Sequence, residues 1–192
     1  YAALRGIEII PEVDMPGHCL SLLAAMPGLS CLDGPFEPYP EEREQDKRKR
    51  TWQNMLCVGD QRVYTVADDI IGELCEVFTS PYIHMGGDEV ATMNWAKCPK
   101  CMALFRKEGM KELSELQDYF TREGSRMVRK RGKRMIGWDE INDRGAAHKS
   151  DMLTIWHGNG SERLKKAMDD SLSVILCPND PCYFDYGYAR NP

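Results

Sequence analysis

The order of strand-like and helix-like segments along this chain limits its possible folds to those with a parallel sheet. Five short apolar runs have the length and β-branched character of strands, and helical or irregular segments separate them. They cover residues 6–13, 82–85, 134–138, 152–156 and 172–177. No hairpin joins one run to the next, and strands that alternate with helices pair in parallel. The sequence therefore predicts an α/β protein, either a doubly wound sheet or a (β/α)8 barrel.

Polar and aromatic residues follow the ends of successive predicted strands. They are Asp14 and His18, Asp88 and Glu89, Trp138, Trp156, Tyr183 and Asp185. In a barrel the carboxyl ends of the strands form one ring around one site, whereas a doubly wound sheet gathers its ligands at a switch point. No glycine-rich phosphate loop opens a helix here. We therefore favour a (β/α)8 TIM barrel.

A complete barrel takes about 250 residues, and this chain has 192. We expect about five of the eight βα units, roughly strands 3 to 7, in one partial catalytic domain over residues 1–192, truncated at both ends. A helical stripe over residues 70–78 predicts a helix capped by Thr65 or Asp68. A longer amphipathic helix over 113–130 ends before Gly132. Asn159 or Ser161 is expected to cap a later helix.

Composition excludes several classes of protein. The chain is 42% hydrophobic and 29% charged, with a formal net charge of −5. A nucleic-acid partner usually requires a basic face, so we expect none. No apolar run approaches the roughly 20 residues that span a bilayer.

Cysteine spacing gives a weaker signal. The eight cysteines are Cys19, Cys31, Cys57, Cys75, Cys98, Cys101, Cys177 and Cys182. Cys98-Pro-Lys-Cys101 has the spacing of a redox pair or of half a zinc site, but no second CxxC exists. A redox pair typically opens a helix, and this pair is expected to follow a loop. We expect a local disulfide staple or plain buried thiols, with metal or redox function as the lesser alternative.

The run His84-Met85-Gly86-Gly87-Asp88-Glu89 carries the most distinctive chemistry. Two adjacent carboxylates repel each other, and two glycines give the backbone freedom to direct both at one spot. Such a pair can split its pKa values, which prepares one member to act as a general acid. The residues alone are equally compatible with a plain polar turn after a strand.

Three aromatic residues follow strand ends, namely Trp138, Trp156 and Tyr183. Any one of them alone could be a core residue. Together with nearby acids, flat aromatic faces suit a sugar ring, whose C–H face lies on the aromatic ring while carboxylates bind its hydroxyls. The pattern indicates glycoside hydrolysis.

These motifs resemble the catalytic barrel of family 20 glycoside hydrolases, the β-N-acetylhexosaminidases. The likeness covers about residues 6–185 and keeps the motifs in family order. It includes the run from Asp14 to His18, the HxGGDE run that ends at Glu89, Gly137-Trp-Asp-Glu140, Trp156 and Tyr183-Phe-Asp185. HxGGDE is specific to the family, and the other motifs alone are weak.

The resemblance implies a retaining, substrate-assisted mechanism. The 2-acetamido oxygen of the substrate attacks C1 and forms an oxazolinium ion. Glu89 is then the general acid and later the base, and Asp88 holds the acetamido N–H and offsets its growing positive charge. No cofactor and no metal are implied.

The resemblance also implies roles for the surrounding residues. Tyr183 orients the acetamido oxygen, Trp138 and Trp156 wall the acetamido pocket, and Asp185 binds hydroxyls of the terminal sugar. The supporting residues are His18, Asp14 and His84. His18 is also compatible with a simple helix cap, and His84 with a satisfied core histidine.

The likeness sets the expected partner and location. The partner is an oligosaccharide or glycoconjugate that contains N-acetylhexosamine, either N-acetylglucosamine or N-acetylgalactosamine. Family habit favours a periplasmic, secreted or lysosomal location. A substrate-binding Arg and a supporting Asp of the family would precede residue 1, and a further Trp and Glu would follow residue 192. We expect the complete enzyme to be active; whether these residues alone turn over substrate stays open.

Two other functions remain as alternatives. A metal-dependent barrel hydrolase could use Asp14, His18, His84, Asp88 and Glu89 as ligands, although the HxH and HxxxH pairs of such barrels are absent. A carbohydrate-binding barrel could keep the aromatics without turnover. Sensitivity to chelators would mark the first alternative, and affinity without product would mark the second.

Overall fold

A four-stranded parallel sheet forms the centre of the protein. The structure is a computed structural model that describes residues 1–37 and 55–184. The strands are β1 (Tyr82–His84), β2 (Arg134–Trp138), β3 (Met152–Ile155) and β4 (Ser173–Leu176). They lie side by side in chain order, and each pairs in parallel with the next. The predicted α/β architecture with parallel pairing is therefore confirmed.

The prediction of a strand over residues 6–13 is wrong. Within the described residues it contributes only one parallel bridge, between Glu12 and His84. The His84 N–H donates to the Pro11 carbonyl at 2.9 Å, and the Val13 N–H donates to the His84 carbonyl at 2.9 Å. Pro11 has no N–H to donate. Ile7 and Ile9 are 56% and 50% exposed, so no described neighbour covers this segment. Its β-branched residues led to the prediction of a strand, but composition does not show whether a neighbouring strand is present.

The helices fill the connections between strands. They are α1 (Leu20–Ala25), α2 (Gln61–Val77), α3 (Pro99–Lys107), α4 (Glu115–Arg129) and α5 (Ser161–Asp169). Short 3-10 turns occur at Ala3–Arg5, Pro27–Leu29, Trp95–Lys97 and Asp139–Asn142, and a helical turn at Asn179–Cys182. No helix of the described ranges is long and apolar enough to cross a bilayer.

The N-cap of α2 differs from the prediction. Asp60, not Thr65 or Asp68, is the cap, and its Oδ1 accepts a hydrogen bond from the Arg62 N–H at 3.0 Å. The helix therefore begins before the apolar stripe that predicted it. Asp68 instead forms ion pairs with Arg131 and Lys130, each at 2.6 Å. The expected cap of α5 is also wrong, because Gly160 is its N-cap and no side chain caps the helix. Asn159 Oδ1 accepts from the Ser161 N–H at 3.1 Å in the turn just before it.

The Cys98 region also differs from the prediction. Cys98 is the N-cap of α3 and Pro99 its first residue, so the CxxC pair opens a helix rather than following a loop. Proline is favourable at this position because its missing N–H would have no helical partner. The cysteines of the described ranges are free thiols, and Cys98 and Cys101 are buried. Of the two expected alternatives, the structure therefore shows plain buried thiols and not a disulfide staple.

The core lies between the sheet and the helices that cover it. α4 packs against β2 and α2. Its predicted inward residues Leu116, Phe120, Met127 and Val128 are buried, and Leu113 is partly buried. This layer supports the carboxyl ends of β1 and β2, where the site residues lie.

Leu116→Ala tests this packing. Leu116 is fully buried, and truncation of such a side chain costs about 2–5 kcal/mol, because apolar contacts are lost and a cavity remains. We expect a loss of this size in the free energy of unfolding, measured by urea denaturation with tryptophan fluorescence. Met168→Ala on α5, 68% exposed, is the control and should change it by less than about 0.5 kcal/mol. Equal effects in both variants would contradict the assigned core.

Candidate active site

The loop after β1 brings two acids to the carboxyl end of the sheet. Its backbone has positive φ at Gly86 (63°), Gly87 (94°) and Glu89 (50°). A Cβ on Gly86 would overlap the Asp14 carboxylate, and a Cβ on Gly87 would overlap the Ile141 side chain. Both positions therefore require glycine for space as well as for conformation.

His18 lies between the two acids. Its Nε2 is 3.1 Å from Asp88 Oδ2 and 3.4 Å from Glu89 Oε2. The hydrogen bond to Asp88 raises the pKa of His18 to about 8, against the opposing effect of burial. At neutral pH the imidazolium therefore offsets the charge of the adjacent carboxylates. The helix-cap interpretation of His18 is wrong, since Cys19 is the N-cap of α1 and that helix has no side-chain cap.

Two carboxylate oxygens in this region are buried without a hydrogen-bond partner among the described residues. They are Asp88 Oδ1 and Asp14 Oδ1. Burial and the charge of Asp88 raise the pKa of Asp14. Because buried acceptors are normally paired, Asp88 Oδ1 marks a position where a ligand can supply a donor.

The side chain of His84 holds the loop of Gly86 and Gly87 by a hydrogen bond. Its Nδ1 accepts from the Gly86 N–H at 3.1 Å, and its Nε2 lies 3.2 Å from Thr154 Oγ1. Burial lowers the pKa of His84 to about 4. The ring is therefore neutral, with the proton on Nε2. Glu12 Oε1 approaches Nδ1 at 3.4 Å, but a neutral imidazole makes no ion pair with it.

Sequence reasoning missed Glu12. Its Oε1 accepts from the Trp138 indole N–H at 3.0 Å. Burial and the charge of Asp14 raise the pKa of Glu12 to about 7. The available signal was its place two residues before Asp14, near the end of a predicted strand. Its contact fixes the orientation of a predicted sugar-binding ring.

Glu140 has the same relation to the second tryptophan. Its Oε2 accepts from the Trp156 indole N–H at 3.1 Å, and its Oε1 accepts from the Glu89 N–H at 3.4 Å. Burial raises the pKa of Glu140. Beside it, His157 Nδ1 lies 2.7 Å from the buried Asp139 Oδ1. Glu140 thus joins the aromatic wall to the loop that carries the acids, a role that its sequence position did not indicate.

The predicted aromatic residues meet at this end of the sheet. The rings of Trp156 and Tyr183 are stacked, with centroids 6.3 Å apart and planes 15° apart. Trp138 packs edge-on to His84, with ring centroids 5.2 Å apart. All three aromatic residues are partly exposed, so none is a core residue. Asp185, the remaining predicted sugar contact, lies outside the described residues.

Three groups at this site could offer three ligand atoms within 4.8 Å of one another. They are Glu12, Asp14 and His84; His18, Asp88 and Glu89; and Asp139, Glu140 and His157. In the second group, His18 Nε2 lies within hydrogen-bond distance of both carboxylates, which accounts for the contacts of this group.

The chain matches the model of the glycosyl hydrolase family 20 catalytic domain over residues 1–192. It belongs to this family. The β-hexosaminidase of Porphyromonas gingivalis is 37% identical over 196 residues, which cover all of this chain and 23% of that protein. The β-hexosaminidase of Akkermansia muciniphila is 30% identical over 97% of this chain and 36% of that protein. The chain thus spans about a quarter to a third of these relatives.

Solved structures of the family superpose on this fold. The β-N-acetylhexosaminidase of Bacteroides fragilis matches with a TM-score of 0.80 and 30% identity, over 97% of this chain and 35% of its own. The exo-β-N-acetylglucosaminidase of Vibrio harveyi in complex with N-acetylglucosamine matches with a TM-score of 0.77 and 32% identity, over 92% and 26%. The predicted family and fold class, part of a (β/α)8 barrel, are confirmed.

Gly86→Ala tests the close approach of the acid loop to Asp14. The control is Gly132→Ala, which has a similar positive φ of 75° but open space around it. Both variants bear the cost of a left-handed residue, about 1–2 kcal/mol. Only Gly86→Ala must also displace Asp14, so we expect its unfolding free energy to fall further by more than about 1 kcal/mol. Equal losses in urea denaturation would contradict this account.

His18→Gln tests the imidazolium between the acids. A folded-state pKa of about 8 lies above the ordinary 6.5, so the stabilisation is fully present below about pH 6.5 and lost as pH rises through about 8. His18 is a third exposed, and solvent screening reduces the expected difference from wild type to about 1 kcal/mol. Urea denaturation at pH 6 and pH 9 measures it. Asp88→Asn should lower the pKa of His18 in an NMR titration, and an unchanged pKa would refute the pairing.

Proposed function

We propose that the protein to which this chain belongs removes terminal β-linked N-acetylhexosamine from glycans with retention of configuration. The observation that carries the proposal is the buried Oδ1 of Asp88, which has no hydrogen-bond partner among the described residues, beside the exposed Glu89. The two acids are consecutive in the sequence but lie in different environments, as two different chemical roles require.

Glu89 suits the role of general acid and base. Its side chain is 53% exposed, against 19% for Asp88, so it can reach the glycosidic oxygen of a bound substrate. It donates its proton to that oxygen as the C1–O bond breaks. It later removes a proton from the water that opens the oxazolinium intermediate.

Asp88 suits the role of the group that holds the acetamide. Its inner oxygen accepts the acetamido N–H, and its negative charge stabilises the positive charge that develops as the carbonyl oxygen attacks C1. His18 on the outer oxygen places a positive charge beside Asp88 and fixes its rotamer. This arrangement needs no enzymatic nucleophile on the opposite face of the sugar.

The aromatic residues suit the acetamido pocket. Trp138 and Trp156 are each tethered through their indole N–H to a carboxylate, which fixes the orientation of the rings that are proposed to contact the methyl group and the sugar. Tyr183, stacked on Trp156, is proposed to donate to the acetamido oxygen. The proposal for Asp185 as a ligand of sugar hydroxyls rests on the family resemblance.

The substrate and the location are parts of the same proposal. The Vibrio harveyi relative holds N-acetylglucosamine, which supports a glycan that carries N-acetylglucosamine or N-acetylgalactosamine. A periplasmic, secreted or lysosomal location would give access to such glycans. Cell fractionation with an antibody to the protein tests it, and purely cytosolic protein would refute it.

Glu89→Gln and Asp88→Asn test the two roles in the full-length protein. We expect each to lower kcat on an aryl N-acetyl-β-glucosaminide by about 10²–10⁴-fold. Glu89→Gln should lose more on substrates with poor leaving groups, because only these need the proton. Asp88→Asn should lose rate with good and poor leaving groups alike, because it acts on the acetamide. Glu162→Gln, an exposed acid on α5, is the matched control and should retain wild-type kcat.

Two comparisons decide between this function and its alternatives. Turnover of the acetamido sugar but not the plain β-glucoside, with inhibition by a thiazoline mimic of the oxazolinium, would support substrate assistance. Hydrolysis of both sugars would indicate an enzymatic nucleophile and refute it. Binding of N-acetylglucosamine without turnover would indicate a carbohydrate-binding barrel. Rapid inactivation by EDTA, reversed by Mg²⁺ or Mn²⁺, would indicate a metal-dependent hydrolase.

A further inference from the structure

Four cysteines from three distant parts of the chain meet away from the catalytic acids. Cys31 follows the Pro27–Leu29 turn, Cys57 precedes α2, and Cys98 and Cys101 open α3. Their four sulfur atoms all lie within 4.8 Å of one another. Cys57, Cys98 and Cys101 are buried, and Cys31 is partly buried. Neither the fold's core nor the proposed reaction requires four thiols at one point.

The spacing of the sulfur atoms fits a tetrahedral metal ion. Sγ of Cys31 is 3.5 Å from that of Cys101, and Sγ of Cys57 is 3.5 Å from that of Cys98 and 3.7 Å from that of Cys101. Four sulfurs bonded to zinc at about 2.3 Å stand about 3.8 Å apart. A disulfide requires about 2.05 Å. The observed distances are close to the edges of a zinc tetrahedron.

The backbone around the cluster is built for close approach. Ser30 and Leu56 form an antiparallel bridge, and the Cys57 N–H donates to the Leu29 carbonyl at 2.7 Å. These contacts hold the segments of Cys31 and Cys57 together independently of their thiols. Main-chain hydrogen bonds thus position two of the three segments that carry the cluster.

Gly59 closes the cluster on the α3 side. A Cβ at this position would overlap the backbone of Lys100 and Cys101, so the turn after Cys57 requires glycine.

We infer that Cys31, Cys57, Cys98 and Cys101 bind one structural zinc ion. The four thiol protons pass to solvent as four S–Zn bonds form, and no oxidation or reduction takes place. All four positions are filled by protein, so the ion has no open site for water or substrate. Its role is to fix the fold rather than to take part in glycoside hydrolysis.

The position of the cluster indicates what the zinc would hold. The Leu56 N–H donates to the Pro16 carbonyl at 2.9 Å, beside the turn that carries Asp14 and His18. On the other side, the indole N–H of the fully buried Trp95 donates to the Leu56 carbonyl at 2.9 Å. Trp95 and Cys98 end the connection that begins with Asp88 and Glu89. The ion would therefore join the segments that carry His18 and the two acids.

Metal analysis of the full-length protein tests the inference. The protein is expressed with zinc in the medium, purified without a metal-affinity tag or chelator, and measured by inductively coupled plasma mass spectrometry. We expect about one zinc per chain. Cys57→Ser and Cys98→Ser should each lose this zinc. Cys75→Ser, a cysteine of α2 outside the cluster, is the matched control and should keep it.

A second measurement covers the case in which the cysteine variants fail to fold. Wild-type protein stripped at low pH and refolded with Co²⁺ under reducing conditions should show the intense visible d–d bands of tetrahedral thiolate coordination. Added zinc should abolish them. Wild-type protein that contains no zinc and gives no such bands would overturn the inference. So would peptide mapping that shows Cys31–Cys101 and Cys57–Cys98 disulfides, or iron bound in place of zinc. None of these readouts depends on glycosidase activity.

Discussion

The close passage of the β1 loop over the turn at Asp14 is the constraint on which the site depends. Gly86 lies so near the Asp14 carboxylate that no side chain fits between them. The His84 ring fixes the Gly86 N–H from below, and Gln117 of α4 donates to the Gly87 carbonyl at 2.7 Å. A backbone held from three sides directs Asp88 and Glu89 into different environments, and a flexible turn would not keep them apart.

The site also depends on groups that offset the charge of its crowded carboxylates. Glu12, Asp14, Asp88, Glu89 and Glu140 crowd one end of the sheet, and mutual repulsion with burial raises several of their pKa values. The only basic side chain that the described structure brings into contact with both Asp88 and Glu89 is His18. The indole N–H groups of Trp138 and Trp156 donate hydrogen bonds to Glu12 and Glu140. These contacts also orient the rings that would enclose the substrate.

The site and the cysteine cluster are mechanically connected. The segment around Leu56 touches the Asp14–His18 turn on one side and Trp95 on the other, and it continues directly into Cys57. A metal at this point would restrain both loops that carry the acids and the histidine. Stability of the cluster and precision of the site would then depend on the same short segment.

The sequence by itself determined the parallel α/β architecture, the β2 strand, the inward face of α4 and the acid pair, because each depends on local periodicity or on a distinctive run of residues. It misplaced the cap of α2 and predicted a strand over residues 6–13, since local composition does not reveal which neighbours cover a segment. Only the tertiary structure decided the partners of Trp138 and Trp156, the place of His18 between the acids and the meeting of Cys31 and Cys57 with the CxxC pair. These contacts join residues far apart in the chain, and their geometry follows from how the loops pack at the ends of the strands.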